Sequence, residues 1–133
     1  MPNAAGLYYF FHPSENRSRP PVILIHGAGG NHLFWPPEVR RLAGSRVYAL
    51  DLPGHGKSEG IGQQSIPGYT KHISAFMDAV GISHAFVVGH SMGGAIALDL
   101  TLNCPERVAA LCLVASGARL RVVWHASRRE ALA

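Results

Sequence analysis

The chain has 133 residues, of which 47% are hydrophobic, and its 12 Lys and Arg outweigh 8 Asp and Glu to give a formal net charge of +4. One domain is the most this length holds. A domain of this size buries roughly two-thirds of the surface its unfolded chain exposes, so the composition excludes a disordered chain and predicts a proper core. The positive balance is mostly arginine, and Arg119, Arg121, Arg128 and Arg129 crowd the C-terminal region without interleaved aromatics or a reading module, which argues against a nucleic-acid partner.

In chain order, Leu7 to Phe11 predicts a strand and the polar, proline-rich HPSENRSRPP after it a turn. VILIH, Val22 to His26, is a continuous β-branched run of the kind buried on both faces of a sheet, and Gly27 to Gly30 end it. His32 to Leu42 predicts a short helix with Phe34, Trp35, Val39 and Leu42 as its apolar positions, with Pro36 and Pro37 marking an alternative start. RVYAL, Arg46 to Leu50, is the next strand, and DLPGHGKSEGIGQQS is loop by its glycines. Tyr69, Ile73, Phe76, Met77 and Val80 recur at helical steps, and Gly81 closes that helix.

HAFVVGH predicts a further strand, Met92 to Asn103 a helix stopped by Pro105, and VAALCLVAS one more buried strand. The alternation implies an α/β fold in which a mostly parallel sheet carries helices on both faces. No repeat or linker divides the chain. Cys104 and Cys112 lie in or beside apolar segments without metal-ligand spacing, so they are expected to be buried free thiols, and no metal is expected. The N-terminus lacks a basic-then-apolar leader and no run approaches the roughly 20 apolar residues that span a bilayer. A soluble cytoplasmic protein without a membrane partner is the expectation.

Gly89-His90-Ser91-Met92-Gly93 stands where strand gives way to helix. In that context Gly-x-Ser-x-Gly describes a strained turn whose flanking glycines let strand and helix approach, lifting the serine hydroxyl above the sheet near the first amides of the helix. The simpler alternative is a glycine-rich turn whose serine caps the helix. Two nucleotide-binding motifs fail: GHGKS has Asp51 where a phosphate loop needs its first glycine, and GAGGNH has His32 where a dinucleotide fingerprint needs its third.

VILIHGAGG, DLPGHGKS and GHSMGGAIAL, in that order, resemble the α/β-hydrolase fold family and within it the single-domain serine esterases with a His-Gly oxyanion loop. The resemblance covers about Leu7 to Arg121, and implies that Ser91 is the nucleophile, that the backbone N–H groups of Met92 and Ala28 form the oxyanion hole, and that no cofactor is needed. A small residue such as Ala28 leaves its N–H open to a ligand. His90 is expected to be structural, His26 and His55 to brace their turns, and Asp51 to stabilise its own loop. Phe34 and Trp35 are candidates for an acyl pocket, with a core role as the alternative.

The family order of serine, then acid, then histidine leaves Asp99, Glu106 and Glu130 as acids and His125 as the sole histidine after Ser91, and none stands where the family places its partners. The resemblance is thus to the N-terminal half of a hydrolase, a single partial domain truncated after about the sixth strand, with the first strand absent or shortened before Leu7 and an atypical tail at residues 122–133. Such a chain is expected to have little turnover and an exposed apolar strand edge prone to self-association. Carbon–carbon bond hydrolases and cofactor-free haloperoxidases resemble the same motifs and stay open as alternatives. Epoxide hydrolases and dehalogenases generally carry aspartate at the nucleophile position, so Ser91 argues against them. A non-catalytic interaction fragment is the third reading. A small-molecule ester or related acyl compound is the expected substrate class.

Overall fold

The computed structural model describes residues 2–114. Its strands are β1 (Asn3–Ala4), β2 (Leu7–His12), β3 (Val22–Ile25), β4 (Val47–Leu50), β5 (Ala85–His90) and β6 (Val108–Val114), and its helices α1 (Pro37–Arg40), α2 (Ile66–Val80) and α3 (Met92–Asn103). Among the described residues they form one sheet in the order β1-β2-β4-β3-β5-β6. The four strands from β4 to β6 in that order run parallel, and β2 lies antiparallel on β4. The β-branched run of β3 occupies the middle, where Ile23, Leu24 and Ile25 are all fully buried, as a strand covered on both faces requires.

Helix α2 begins where the Ser65 hydroxyl accepts from the Gly68 N–H at 3.2 Å and ends at Gly81, whose φ of 76° is a left-handed cap that glycine adopts without a Cβ penalty. Its stripe of Tyr69, Ile73, Phe76 and Met77 packs with Ile96, Ala97 and Leu100 of α3 over Leu7, Ile25, Leu50 and Val87 of the sheet. Burying each of the larger side chains contributes about 1.5–3 kcal/mol. The opposite face is thinner: Trp35 covers Val22, Leu24, Val47 and Ala49, with Val39 of α1 beside it. Helices therefore stand on both faces as expected, the two long ones sharing one.

Local detail decides between expectations at three places. The segment from His32 to Leu42 takes the alternative start marked by Pro36 and Pro37: a 3-10 turn spans His32–Phe34, and α1 starts only after Pro36, whose extended backbone breaks the path. Phe34 and Leu42 are consequently exposed, at 46% and 47%, rather than core. Before Leu7 there is a short strand, β1, joined to β2 by Ala5 and Gly6 at φ 52° and 81°, the left-handed pair of a tight hairpin. Finally, β6 forms the exposed edge expected of a partial domain, half-exposed because among the described residues it pairs only with β5, and the cysteines expected to be buried are not: Cys112 is exposed and Cys104 intermediate. The arginines at 119, 121, 128 and 129, together with His125, Glu130 and the tail, lie outside the described residues.

From β3 the chain moves outward to β4, then returns across the sheet to β5 on the other side of β3. That reversal is a topological switch point, where loops leaving the strand ends diverge and open a crevice. The register sets Ile25 beside Gly89, so the loops that follow β3 and β5 emerge next to each other.

Candidate active site at the β5–α3 elbow

Ser91 sits between β5 and α3 at φ 54° and ψ −116°. A non-glycine residue in this region costs of order 1–3 kcal/mol and is held only if its surroundings enforce it. They do. A Cβ on Gly89 would stand 2.2 Å from the Gly93 carbonyl oxygen, and one on Gly93 would stand 2.1 Å from the Ile25 and 2.5 Å from the His26 carbonyl oxygens. Strand, helix and the neighbouring β3 thus meet at backbone contact, which is the physical reason for glycine on either side of the serine.

The Ser91 side chain makes no capping hydrogen bond to α3, which removes the capping alternative. The Ser91 carbonyl accepts from the N–H of Gly94 at 2.8 Å and of Ala95 at 3.2 Å. Helical bonding therefore starts at Gly94, and the N–H groups of Met92 and Gly93 stand at the amino end of the helix, where its dipole favours negative charge.

The loop after β3 leans on this elbow. A Cβ on Gly27 would lie 3.2 Å from Ser91 Cβ and from His90 Nδ1, so Ala28, the next residue and an exposed one, leaves the loop beside the serine. The Gly27 carbonyl closes the turn by accepting from the Gly30 N–H at 3.1 Å. His26, fully buried, accepts at Nε2 from the Leu52 N–H at 3.0 Å, which places its proton on Nδ1, 2.6 Å from the same Gly27 carbonyl. One neutral imidazole thereby ties the β3 loop to the β4 loop. His55 packs against it with ring centroids 5.1 Å apart and sets Nδ1 3.0 Å from the Pro53 carbonyl.

Burial lowers the pKa of His26 below the ordinary histidine value of 6.5, and the nearby His55 adds to the effect against the opposing Gly27 hydrogen bond and Asp51. The unfolded chain therefore takes up a proton near pH 6.5 that the folded state refuses. Stability is expected to fall as pH drops through 6.5 towards the lowered folded value, and to be independent of this group above it. Urea midpoints of the wild type and His26→Gln between pH 7.5 and pH 5 test this: the variant starts lower and shows a shallower acid loss, and parallel curves would exclude His26 as the source.

The sequence confined Asp51 to its own loop, but the structure gives it a wider reach. Fully buried, it accepts at Oδ1 from the His32 N–H at 2.7 Å and ring Nδ1 at 2.9 Å, and at Oδ2 from the Lys57 N–H at 2.8 Å. Its carbonyl takes the Ser58 hydroxyl and its N–H donates to the Tyr8 carbonyl at 2.9 Å. The only signal for this was a carboxyl group directly after an apolar strand; nothing in the spacing pointed to His32.

The two pocket candidates separate. Phe34 stacks on His90 with centroids 4.3 Å apart and planes at 25°, next to the elbow, whereas Trp35 is only 4% exposed and belongs to the core on the α1 face. The possible acids on the α3 side are elsewhere: Asp99 accepts from Asn103, and Glu106 sits in the 3-10 turn beyond the far end of α3. Among the described residues no three His, Cys, Asp or Glu gather as a metal-holding group, and no helix is long and apolar enough to cross a membrane.

Comparison with known proteins shows the family to which the chain belongs. The chain is 36% identical over 143 residues to a putative carbamate hydrolase, RutD, of Azorhizobium caulinodans, an alignment covering 100% of this chain and 52% of that protein. It is 34% identical over 116 residues to the 2-hydroxy-6-oxo-6-phenylhexa-2,4-dienoate hydrolase of Comamonas testosteroni, covering 82% of this chain and 41% of that one. The crystal structure of the enol-lactonase from Burkholderia xenovorans LB400 matches with a TM-score of 0.72 at 29% identity, over 79% of this chain and 41% of the other. The chain thus spans about half the length of these proteins or less. The sequence profile of the alpha/beta hydrolase fold matches residues 20–131, a stretch that holds both the β3 loop and the elbow, and the chain belongs to that family.

Proposed function

We propose that Ser91 is the nucleophile of a hydrolase acting on carboxylic esters. The observation that carries this reading is the strained Ser91 backbone, enforced by backbone contacts at Gly89 and Gly93, around a hydroxyl that caps nothing. In the reaction the Ser91 oxygen attacks the ester carbonyl carbon while a base takes its proton. The carbonyl oxygen becomes an oxyanion and is stabilised by the N–H groups of Met92 and Ala28. The bond to the alcohol oxygen then breaks, the alcohol leaves with a proton, and water releases the acid from the acyl-serine, with no cofactor. Phe34, exposed beside His90, borders the acyl group. Acid and base are assigned to residues outside 2–114, since both ring nitrogens of His26 are engaged, by the Gly27 carbonyl and the Leu52 N–H, and among the described residues no histidine, His32 on Asp51 included, is hydrogen-bonded to the Ser91 hydroxyl.

The relatives support carbonyl attack as the common step, because a lactone is a cyclic ester and a carbamate carries the same acyl carbon. A second reading, carbon–carbon bond hydrolysis, is favoured by the Comamonas dienoate hydrolase at 34% identity. The free thiols of Cys104 and Cys112 support a reducing, cytoplasmic setting.

Wild type and Ser91→Ala are compared with p-nitrophenyl acetate, with imidazole present to accept the proton, and with a fluorophosphonate followed by peptide mapping. Wild-type release of nitrophenol is expected to exceed the variant's by about tenfold or more, a transition-state difference of about 1.4 kcal/mol or more, with the label on Ser91. Equal rates, or equal labelling of both proteins, would defeat the assignment. Faster turnover of 2-hydroxy-6-oxo-6-phenylhexa-2,4-dienoate than of the ester would select the second reading.

A further inference from the structure

At the amino ends of the parallel strands, remote from Ser91, the loop before β3 and the turn after α2 border an open surface cavity of about 230 Å³ whose lining includes Arg17, Ser18, Arg19, Arg46, Ser83 and His84. Three arginines are among the residues that line this space, and no acidic residue is among the described residues that do. Arg46 is oriented by its Nη2, which donates to the Arg19 carbonyl at 2.8 Å. Its Nε is buried and has no hydrogen-bond partner among the described residues.

The surroundings shape the turn that carries Arg17 and Arg19. Asn16 Oδ1 accepts from the Ser18 N–H at 3.0 Å and from its hydroxyl at 2.6 Å, shaping the turn between Arg17 and Arg19. The carboxyl-terminal end of α2, which would repel an anion, is already covered. Arg107 donates to the Ile82 carbonyl at 2.7 Å and to Asp78 at 2.7 Å, so the Asp78 carboxylate of α2 and a carbonyl of the lining turn are both engaged by a fourth guanidinium.

We propose that this cavity binds a small oxyanion of the phosphate class, either free phosphate or the phosphate group of a small monoester. Guanidinium groups offer paired donors matched to such oxygens, and the Ser83 hydroxyl and His84 add polar partners. The volume lies below that of a drug-sized ligand pocket, roughly 300 Å³ and up, which suits a small anion. The site is separate from the Ser91 elbow and does not depend on the reaction proposed there.

Calorimetric titration of the protein with inorganic phosphate and with glycerol phosphate, at ionic strength held constant with chloride, tests this. Saturable binding is expected in the wild type. The double variant Arg17→Gln/Arg19→Gln, altered at two exposed positions and so expected to fold normally, is expected to bind about tenfold or more weakly. Arg46→Gln is expected to lose binding as well. Tighter binding of glycerol phosphate identifies a monoester as the ligand, and equal or weaker binding identifies the free anion. Phosphate bound no better than chloride, or bound equally by the double variant, overturns the proposal.

Discussion

Gly93→Ala is expected to remove about 4 kcal/mol or more of stability, while Gly94→Ala, one position further along α3, stays within about 0.5 kcal/mol of the wild type or gains slightly. The two glycines share a helix and a composition, and differ in what a methyl group would meet. At Gly93 the new carbon would lie 2.1 Å from the Ile25 carbonyl oxygen and 2.5 Å from that of His26. Both are backbone atoms at the end of the central strand β3, and β3 is hydrogen-bonded on both sides, to β4 and β5. No rotamer change relieves the overlap; the helix must leave the sheet or β3 must shift within it. At Gly94 the closest atoms are the Gly89 carbonyl oxygen at 3.4 Å and the Leu113 Cδ2 at 3.5 Å, ordinary contacts. Against a total stability of about 5–15 kcal/mol, the first change threatens folding and the second does not. Urea denaturation followed by circular dichroism reads both, and similar midpoints for the two variants would show that α3 does not rest on β3 as described.

The same contact shows what was legible before the structure. The requirement for glycine at positions 89 and 93 followed from a tight strand-to-helix turn, but the partner of Gly93 is β3, more than sixty residues earlier, and no local pattern names it. The segments β3, β4, β5, α2 and α3 were readable because each carries a strong periodic or continuous apolar signal with a cap, as at Gly81. In the segment from His32 to Leu42 the helix took the alternative start that Pro36 and Pro37 marked, and only tertiary contact decided that Trp35 enters the core while Phe34 stays exposed on the ring of His90. The hairpin at Ala5-Gly6 escaped notice because alanine seldom takes a positive φ, so the usual turn residues were missing. For β6 the apolar composition read as a buried strand, and only the partial extent of the resemblance indicated the exposed edge it forms among the described residues, because burial depends on what lies beside a strand.

Asp51→Ala is expected to cost about 3 kcal/mol and to disturb the elbow without touching Ser91. Its two oxygens serve three donors from two loops: the N–H and ring of His32, and the N–H of Lys57. Removing them leaves partly buried backbone donors without acceptors, and each unsatisfied group costs about 1–3 kcal/mol. His32→Ala offers the comparison, because it deletes only the ring contact and keeps the backbone N–H bond to Oδ1; its cost is expected to be about 1 kcal/mol. The functional consequence follows from the chain path. His32 opens the 3-10 turn that ends at Phe34, and Phe34 lies on His90, the neighbour of Ser91. Freed from Asp51, that turn loses its anchor to the β4 loop, so Ser91 labelling by the fluorophosphonate is expected to slow more in Asp51→Ala than in His32→Ala, under conditions where both variants are folded. If Asp51→Ala is destabilised but labels at the wild-type rate, Asp51 holds the loops together and has no part in shaping the elbow.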